Sequence, residues 1–188
     1  MAKAYTDDIT IIHALELRDF LLMDTLVDCF YDYRRVPLGT LRRPVIDESI
    51  NIRLATSKDC DKLVAVTGNA FHAHFGRFHA DERIGRDLAT KIYEQWMRSS
   101  SNGYADHIYL ASVKEEIVGF SVWKLPSNEE KRLNVRVGHY SIAGIHPDFY
   151  GHGLFTALTY AGMQSFDGCV DIIEGPTHIN NYGYRGVI

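Results

Sequence analysis

Residues 146–158 read HPDFYGHGLFTAL, with Gly151 and Gly153 directly before an apolar run that is typical of a helix. The preceding stretch, NVRVGHYSIAGI (134–145), is typical of a strand. Glycine lets a backbone take positive φ and approach a ligand closely, and the free N–H groups that begin a helix favour an anion. The two glycines therefore bind an anion or simply form a tight strand-to-helix turn, and the pattern alone leaves both open.

Strand and helix patterns surround this loop in a definite order. The predicted elements are a strand in SINIRLATSKD (49–59), helices 59–74 and 82–100, a hairpin with the turn Lys114-Glu115, strand 134–145, helix 154–166 and strand DIIEGP (171–176). In helix 82–100 the apolar positions are Ile84, Leu88, Ile92 and Trp96. This order predicts an α+β domain with helices flanking a mixed, mostly antiparallel sheet, and parallel strands on either side of the glycine loop.

The first 48 residues differ from this pattern. IIHALELRDF (11–20) suggests a strand followed by a short helix, and residues 21–33 alternate as a strand does. Residues 36–48 combine proline, glycine and arginine without periodicity, which is typical of a linker. We therefore expect a small N-terminal α/β unit (1–35), a linker (36–48) and a main domain (49–188).

Composition excludes several classes of function. The chain has 188 residues and a net charge of −4, which gives no electrostatic case for a nucleic-acid partner. No apolar run is long enough to span a membrane, and MAKAYTDDIT (1–10) lacks an apolar signal core. The three cysteines are widely spaced, and the simplest interpretation is that they are free thiols in a reducing compartment. We expect a cytoplasmic protein without a membrane or nucleic-acid partner.

The glycine loop resembles motif A of the GNAT N-acetyltransferase superfamily, which reads Gln or Arg, any two residues, Gly, any residue, then Gly or Ala. In register the motif falls on Tyr150-Gly151-His152-Gly153-Leu154-Phe155. Gly153 matches, whereas Tyr150 replaces Gln or Arg and Phe155 replaces the small residue. The resemblance covers residues 50–188 and implies acetyl-CoA as acyl donor, with its pyrophosphate on these six residues.

The resemblance also implies the rest of the donor site. The pantetheine arm would pair with the backbone of Ala143, Gly144 and Ile145, and Asn181 matches the asparagine of the family's motif B. His139 stands where many relatives place a glutamate, and a histidine titrates near neutrality, so it is our first candidate for the base that deprotonates the amine. His139 could equally be a packed or surface strand residue, and His178 is the second candidate.

The family's proton donor is usually a tyrosine on the helix after the fifth strand. Tyr182 and Tyr184 are the candidates here, and the sequence ends at Ile188, before that helix and the last strands of the fold. We expect a C-terminally truncated chain, or a sheet completed by another segment or by a partner. A sheet with an open apolar edge associates readily, which makes a homo-oligomer possible.

NAFHAHFGRFHAD (69–81) and THINNYG (177–183) also look like the branch that acetylates nucleotide-linked amino sugars, such as dTDP-fucosamine acetyltransferase. That similarity implies an acceptor site with the substrate-binding residues Phe75, Arg77, Phe78 and Asp81. In the alternative, the aromatic residues fill the core and Arg77 forms a surface ion pair with Asp81. We expect no metal site, because His72 and His74 are two residues apart and cannot share a helix face.

Three functions remain in competition. The first is acetyl transfer from acetyl-CoA to a small primary amine, in particular that of a nucleotide-linked amino sugar. The second is transfer to a peptide or protein amine, although an arginine- and aromatic-rich loop suggests a closed polar pocket. The third is a non-catalytic or degenerate domain that binds coenzyme A without turnover.

Overall fold

The computed structural model describes residues 2–132 and 134–181. The helices are α1 (Ile9–Glu16), α2 (Cys60–His72), α3 (Arg77–Ala80), α4 (Arg86–Ser99) and α5 (Leu154–Phe166). The strands are β1 (Leu26–Asp32), β2 (Ile50–Leu54), β3 (His107–Val113), β4 (Glu116–Lys124), β5 (Val137–Ile145) and β6 (Ile172–His178). Within this part of the chain, no helix is long and apolar enough to cross a membrane.

The strands form one six-stranded sheet in the order β1-β6-β5-β4-β3-β2. Among the strands of the described residues, β5 and β6 are parallel and the other four pairings are antiparallel. A parallel pair needs a crossover, which here is the glycine loop and α5. The predicted mixed, mostly antiparallel sheet with flanking helices is therefore confirmed, as is the helix over residues 154–166.

The N-terminal residues extend the same sheet. Strand β1 pairs with β6 along its whole length, from Leu26 opposite His178 to Asp32 opposite Ile172. Another segment of the chain thus lies along the edge of β6 that the sequence left open. The strand predicted at the start of residues 11–20 is wrong, because Asp8 caps helix α1 and its carboxylate accepts a hydrogen bond from the Ile11 N–H at 3.1 Å.

The sheet has a hydrophobic core on each face. Helices α2 and α4 cover one face, where Leu63, Met97 and Phe120 are fully buried. Helix α5 covers the other face around Trp123 and Phe166. At Gly162 a β-carbon would overlap the indole of Trp123, so only glycine lets α5 approach the sheet this closely.

The predicted apolar face of the helix over residues 82–100 is displaced. Helix α4 buries Ala89, Tyr93 and Met97, whereas Leu88 is 54% exposed. The stacking of Tyr93 on Phe71, with ring centroids 4.2 Å apart, fixes this rotation of the helix. Periodicity alone therefore predicted the wrong buried face of α4, and aromatic packing against α2 determines which face is buried.

Candidate active site

Strands β5 and β6 separate after a short parallel pairing. Their register ends at His139 opposite Glu174, after which β6 continues only against β1. Strand β5 continues along β4 up to Ile145, and Ser141 is bulged out of that register. One edge of the β5 backbone, including that of Ala143, Gly144 and Ile145, therefore borders a V-shaped opening in the sheet.

The opening leads along β5 to the glycine loop. Gly151 and Gly153 take φ values of +83° and +72°, a left-handed conformation that favours glycine. Gly153 is the N-cap of α5, and no side chain caps the helix start. The first N–H groups of α5 are thus left to solvent or to a ligand, and they carry the positive end of the helix dipole.

The two residues that differ from motif A, Tyr150 and Phe155, leave the backbone of the glycine loop accessible. Phe155 packs inward against the core around Trp123, with its ring centroid 6.3 Å from that of Tyr140. Tyr150 points outward and is 61% exposed. Leu154 is buried, so of these three only the Tyr150 side chain stands on the surface. The bulk of Phe155 therefore occupies the core and not the space before the helix.

The segment before β2 runs beside the loop. The carbonyl oxygen of Val45 lies 3.9 Å from the position of a β-carbon on Gly153. A hydrogen bond from Ser49 lowers the pKa of Asp47, and the nearby His152 imidazole acts in the same direction. Residues 45–47 thus form one wall of the glycine loop.

His139 lies between two carboxylates at the closed end of the V. Its Nδ1 is 3.1 Å from Glu174 Oε1, and its Nε2 is 3.2 Å from Glu130 Oε1. Hydrogen bonds from the Ser127 backbone and hydroxyl, with a smaller contribution from His139, lower the pKa of Glu130. A neutral imidazole has one N–H and one lone pair, so one of these carboxylates accepts a hydrogen bond from the ring and the other lies beside its lone pair.

His178 is held differently. Its Nδ1 accepts a hydrogen bond from the Asn180 N–H at 3.0 Å, and its Nε2 lies 3.1 Å from Asp24 Oδ1. Only 10% of the His178 side chain is exposed. Both ring nitrogens of His178 are therefore engaged, as are both ring nitrogens of His139, so hydrogen bonding alone singles out neither ring as the base.

The four residues predicted to bind the acceptor lie in different environments. Phe75 is 60% exposed and meets the His178 ring edge-on at 6.3 Å. Phe78 packs in the core against Tyr93, with Arg77 stacked 4.8 Å above its ring. Asp81 pairs with Arg83 at 2.7 Å, and that contact lowers the pKa of Asp81. The alternative ion pair between Arg77 and Asp81 is not formed.

The remaining candidates lie at the C-terminal side of β6. The Asn181 side-chain amide donates to Thr177 Oγ1 at 3.0 Å, and its backbone N–H donates to the His178 carbonyl at 2.8 Å. Tyr182 and Tyr184 lie outside the described residues. In residues 2–132 and 134–181 no group of three or more histidine, cysteine, aspartate or glutamate residues is arranged to hold a metal ion.

The architecture matches solved acetyltransferase structures. A tandem GNAT protein from the clavulanic acid biosynthesis pathway superposes with a TM-score of 0.63 at 14% identity, covering 100% of this chain and 55% of that one. PaiA N-acetyltransferase of Thermoplasma acidophilum, crystallised with coenzyme A, gives a TM-score of 0.55 at 12% identity over 73% of this chain and 84% of that one. The chain has the GNAT fold.

A comparison of sequences finds a relative among curated proteins. A mycothiol acetyltransferase of Saccharomonospora viridis is 30% identical over 125 residues, which are 65% of this chain and 38% of that protein. The chain thus spans about two fifths of the length of this curated relative. No protein-family model matches the sequence.

Sequence reasoning missed three carboxylates of this GNAT-fold site. The pattern around Glu130 is that of a solvated loop, yet Glu130 contacts His139 from the turn Glu130–Arg132. Glu174 is recognisable in the sequence only as a strand residue, because its place opposite His139 depends on the register of a parallel pair. Asp24 carries no sequence signal, and it reaches His178 only because β1 joins β6.

Proposed function

We propose that this protein is an acetyl-CoA-dependent N-acetyltransferase that acts on a primary amine. One observation carries the proposal: the open edge of β5 leads directly to a left-handed glycine loop at an uncapped helix start. An extended amide-bearing arm fits such an edge, and a pyrophosphate fits such a helix start. The GNAT fold and the similarity to a mycothiol acetyltransferase support the same activity.

The donor would bind mainly through backbone groups. Ala143, Gly144 and Ile145 offer strand N–H and C=O groups to the pantetheine amides, and the N–H groups from Gly151 to Phe155 face the pyrophosphate. Bound acetyl-CoA supplies an acyl group activated as a thioester. A backbone N–H near the bulged Ser141 would stabilise negative charge on the carbonyl oxygen during transfer.

His139 is the proposed general base. Neutral His139 accepts a proton from the acceptor ammonium, and the free amine then attacks the thioester carbonyl carbon. A C–N bond forms and the C–S bond breaks; the sulfur takes a proton from the proposed acid, and the nitrogen returns its second proton to that acid as the amide forms. Glu130 and Glu174 hold the ring and stabilise its charged form. For the proton to sulfur we propose Tyr182 or Tyr184, from the family resemblance alone.

For the acceptor we propose the amine of a nucleotide-linked amino sugar. The resemblance of residues 69–81 and 177–183 to that acetyltransferase branch supports this choice. Phe75 is exposed beside His178 and is free to stack on a sugar or base. Arg77 provides a guanidinium for a phosphate.

Thermal unfolding with and without acetyl-CoA tests the activity. We expect the melting temperature to rise with acetyl-CoA concentration, because a ligand that binds only the native state stabilises it. Thiol release is then measured with a panel of nucleotide-linked amino sugars, free amino sugars and lysine peptides. No stabilisation at millimolar acetyl-CoA contradicts the proposal, and stabilisation without thiol release from any amine indicates a non-catalytic coenzyme A-binding domain.

A further inference from the structure

Buried polar atoms without a hydrogen-bond partner gather at one corner of the molecule. Among the described residues, these side-chain atoms are Asp24 Oδ1, Arg77 Nε and both ring nitrogens of His79. All three residues border Tyr93. His79 stacks on its ring at 5.8 Å, and Asp24 and Arg77 act on its hydroxyl with opposite electrostatic effects.

The two charged groups at this corner are not neutralised by each other. Arg77 forms no ion pair within residues 2–132 and 134–181, and its guanidinium lies over the Phe78 ring. The Asp24 side chain is 9% exposed, and its Oδ1 is near His178 Nε2 without hydrogen-bond geometry. Arg77 is thus the charged group without an ion-pair partner among the described residues, whereas Asp24 lies 3.1 Å from His178, and a ligand anion would compensate the Arg77 guanidinium.

This corner is connected to the proposed reaction centre. His178 and Glu174 are four residues apart on β6 and face the same side of the sheet, because side chains alternate along a strand. Four residues of strand span about 13 Å. Glu174 contacts His139 at one end of that span, and Asp24 and Phe75 contact His178 at the other. A single elongated acceptor could therefore touch both ends.

We propose that Asp24 and Arg77 form the specificity subsite for the acceptor, and that the acceptor is an amine that also carries an anion, either a carboxylate or a phosphate. Arg77 pairs with the anion, because a guanidinium matches both groups with two parallel hydrogen bonds. Asp24 accepts hydrogen bonds from N–H or O–H groups of the same molecule. That the bound amine is an acetyl acceptor rests on the proposed function. The new element is Asp24, which the N-terminal segment adds to the site.

Calorimetric titration of the full chain without acetyl-CoA tests the subsite. Two matched pairs of probes separate the sources of the anion: glucosamine 6-phosphate against glucosamine, and L-lysine against cadaverine. We expect at least one anionic probe to bind about ten times more tightly than its partner without the anion, as a charge-assisted contact of this kind provides. Equal affinities within both pairs, or no binding of either anionic probe, would overturn the proposal.

Variants separate the subsite from general effects of charge. Arg77→Gln should abolish the preference for the anionic probe, and Arg77→Lys should retain part of it. Arg83→Gln is the matched control, since Arg83 is 81% exposed and pairs with Asp81. Asp24→Asn should weaken both members of a pair about equally. The preference persisting in Arg77→Gln, with native circular dichroism, contradicts the assignment.

The test of the subsite can fail separately from the test of acetyl transfer. If acetyl-CoA gives no thermal stabilisation while the anionic probe still binds through Arg77, the proposed transfer is wrong and the subsite stands. If acetyl-CoA binds and thiol is released with amines of any charge at equal KM, the transfer stands and the subsite is wrong.

Discussion

The proposed donor side and the proposed acceptor side of the site are formed by different parts of the chain. The donor side uses backbone groups of one continuous segment, from β5 through the glycine loop into α5. The acceptor side uses side chains from four separate segments, which bring Asp24, Arg77, Tyr93 and His178 together. A backbone site depends on conformation and tolerates side-chain changes such as Tyr150 and Phe155, whereas a side-chain site depends on each residue and on the packing that places it.

The largest effect is expected from a charge at the donor loop. Gly153→Glu should reduce acetyl-CoA affinity by at least about a hundredfold, because it places an anion at the proposed pyrophosphate site and a side chain on a left-handed backbone. Titration of acetyl-CoA followed by thermal shift measures the loss.

Gly168→Glu is the matched control for that change. Gly168 has a φ of +79°, and no atom lies within 4 Å of the position that a β-carbon would take there. The strain and charge of the two variants are therefore alike, but Gly168 lies beyond the other end of α5. Equal loss of acetyl-CoA binding in both variants would show that the glycine loop is not the donor site.

The second effect concerns the reaction centre, where the two sides meet. His139→Gln should lower kcat about a hundredfold and leave acetyl-CoA binding unchanged, because it removes the proposed base and keeps the strand. Glu174→Gln should give a smaller loss of kcat. The readout is thiol release across about pH 6–9, the range in which a histidine base titrates, with the best amine found.

His107→Gln serves as the control, since His107 is a partly buried strand histidine that contacts Ser165 on the α5 face. A decrease in kcat that is the same for His107→Gln and His139→Gln would rule out a specific role for His139.

The third prediction concerns stability and tests the close packing of α5 against the sheet. Gly162→Ala should lower the free energy of unfolding by about 2 kcal/mol, because the added methyl overlaps the Trp123 ring and forces α5 away from the sheet. Chemical denaturation measures this change. Gly39→Ala, where a β-carbon meets nothing within 4 Å, should leave stability nearly unchanged, and a similar loss in both variants would contradict the packing argument.

The smallest effect is expected at the acceptor corner and depends on pH. Burial, with smaller contributions from His79 and His178, lowers the pKa of His74 from 6.5 to about 4. Between these values the unfolded chain binds more protons than the native chain, so stability should fall as pH decreases from 6.5 to about 4. The loss attributable to His74 is roughly 1–2 kcal/mol after allowance for solvent screening.

Denaturation at about pH 7 and about pH 4.5, on either side of most of this titration, measures the dependence. His74→Gln should reduce the difference between the two pH values, and His13→Gln, on the exposed helix α1, should not. An unchanged difference in His74→Gln would show that His74 is not buried in its neutral form.

Much of the fold could be predicted because its signals are local. Helix 154–166, the hairpin turn at Lys114-Glu115 and the parallel pair around the glycine loop follow from periodicity, turn chemistry and chain connection. Predictions failed where a distant contact overrode the local pattern. Helix α4 buries Tyr93 against Phe71 and not the predicted face. Residues 11–16 are helical because Asp8 caps a helix there.

The sequence by itself determined the conformation of the glycine loop, since two glycines between a strand and a helix specify a backbone conformation within a few residues. Tertiary structure alone decided the partners of His139 and the position of Asp24. Glu130 and Glu174 reach His139 from different elements, and Asp24 arrives only because β1 pairs with β6. Such contacts depend on strand register and long-range pairing, which no window of neighbouring residues contains.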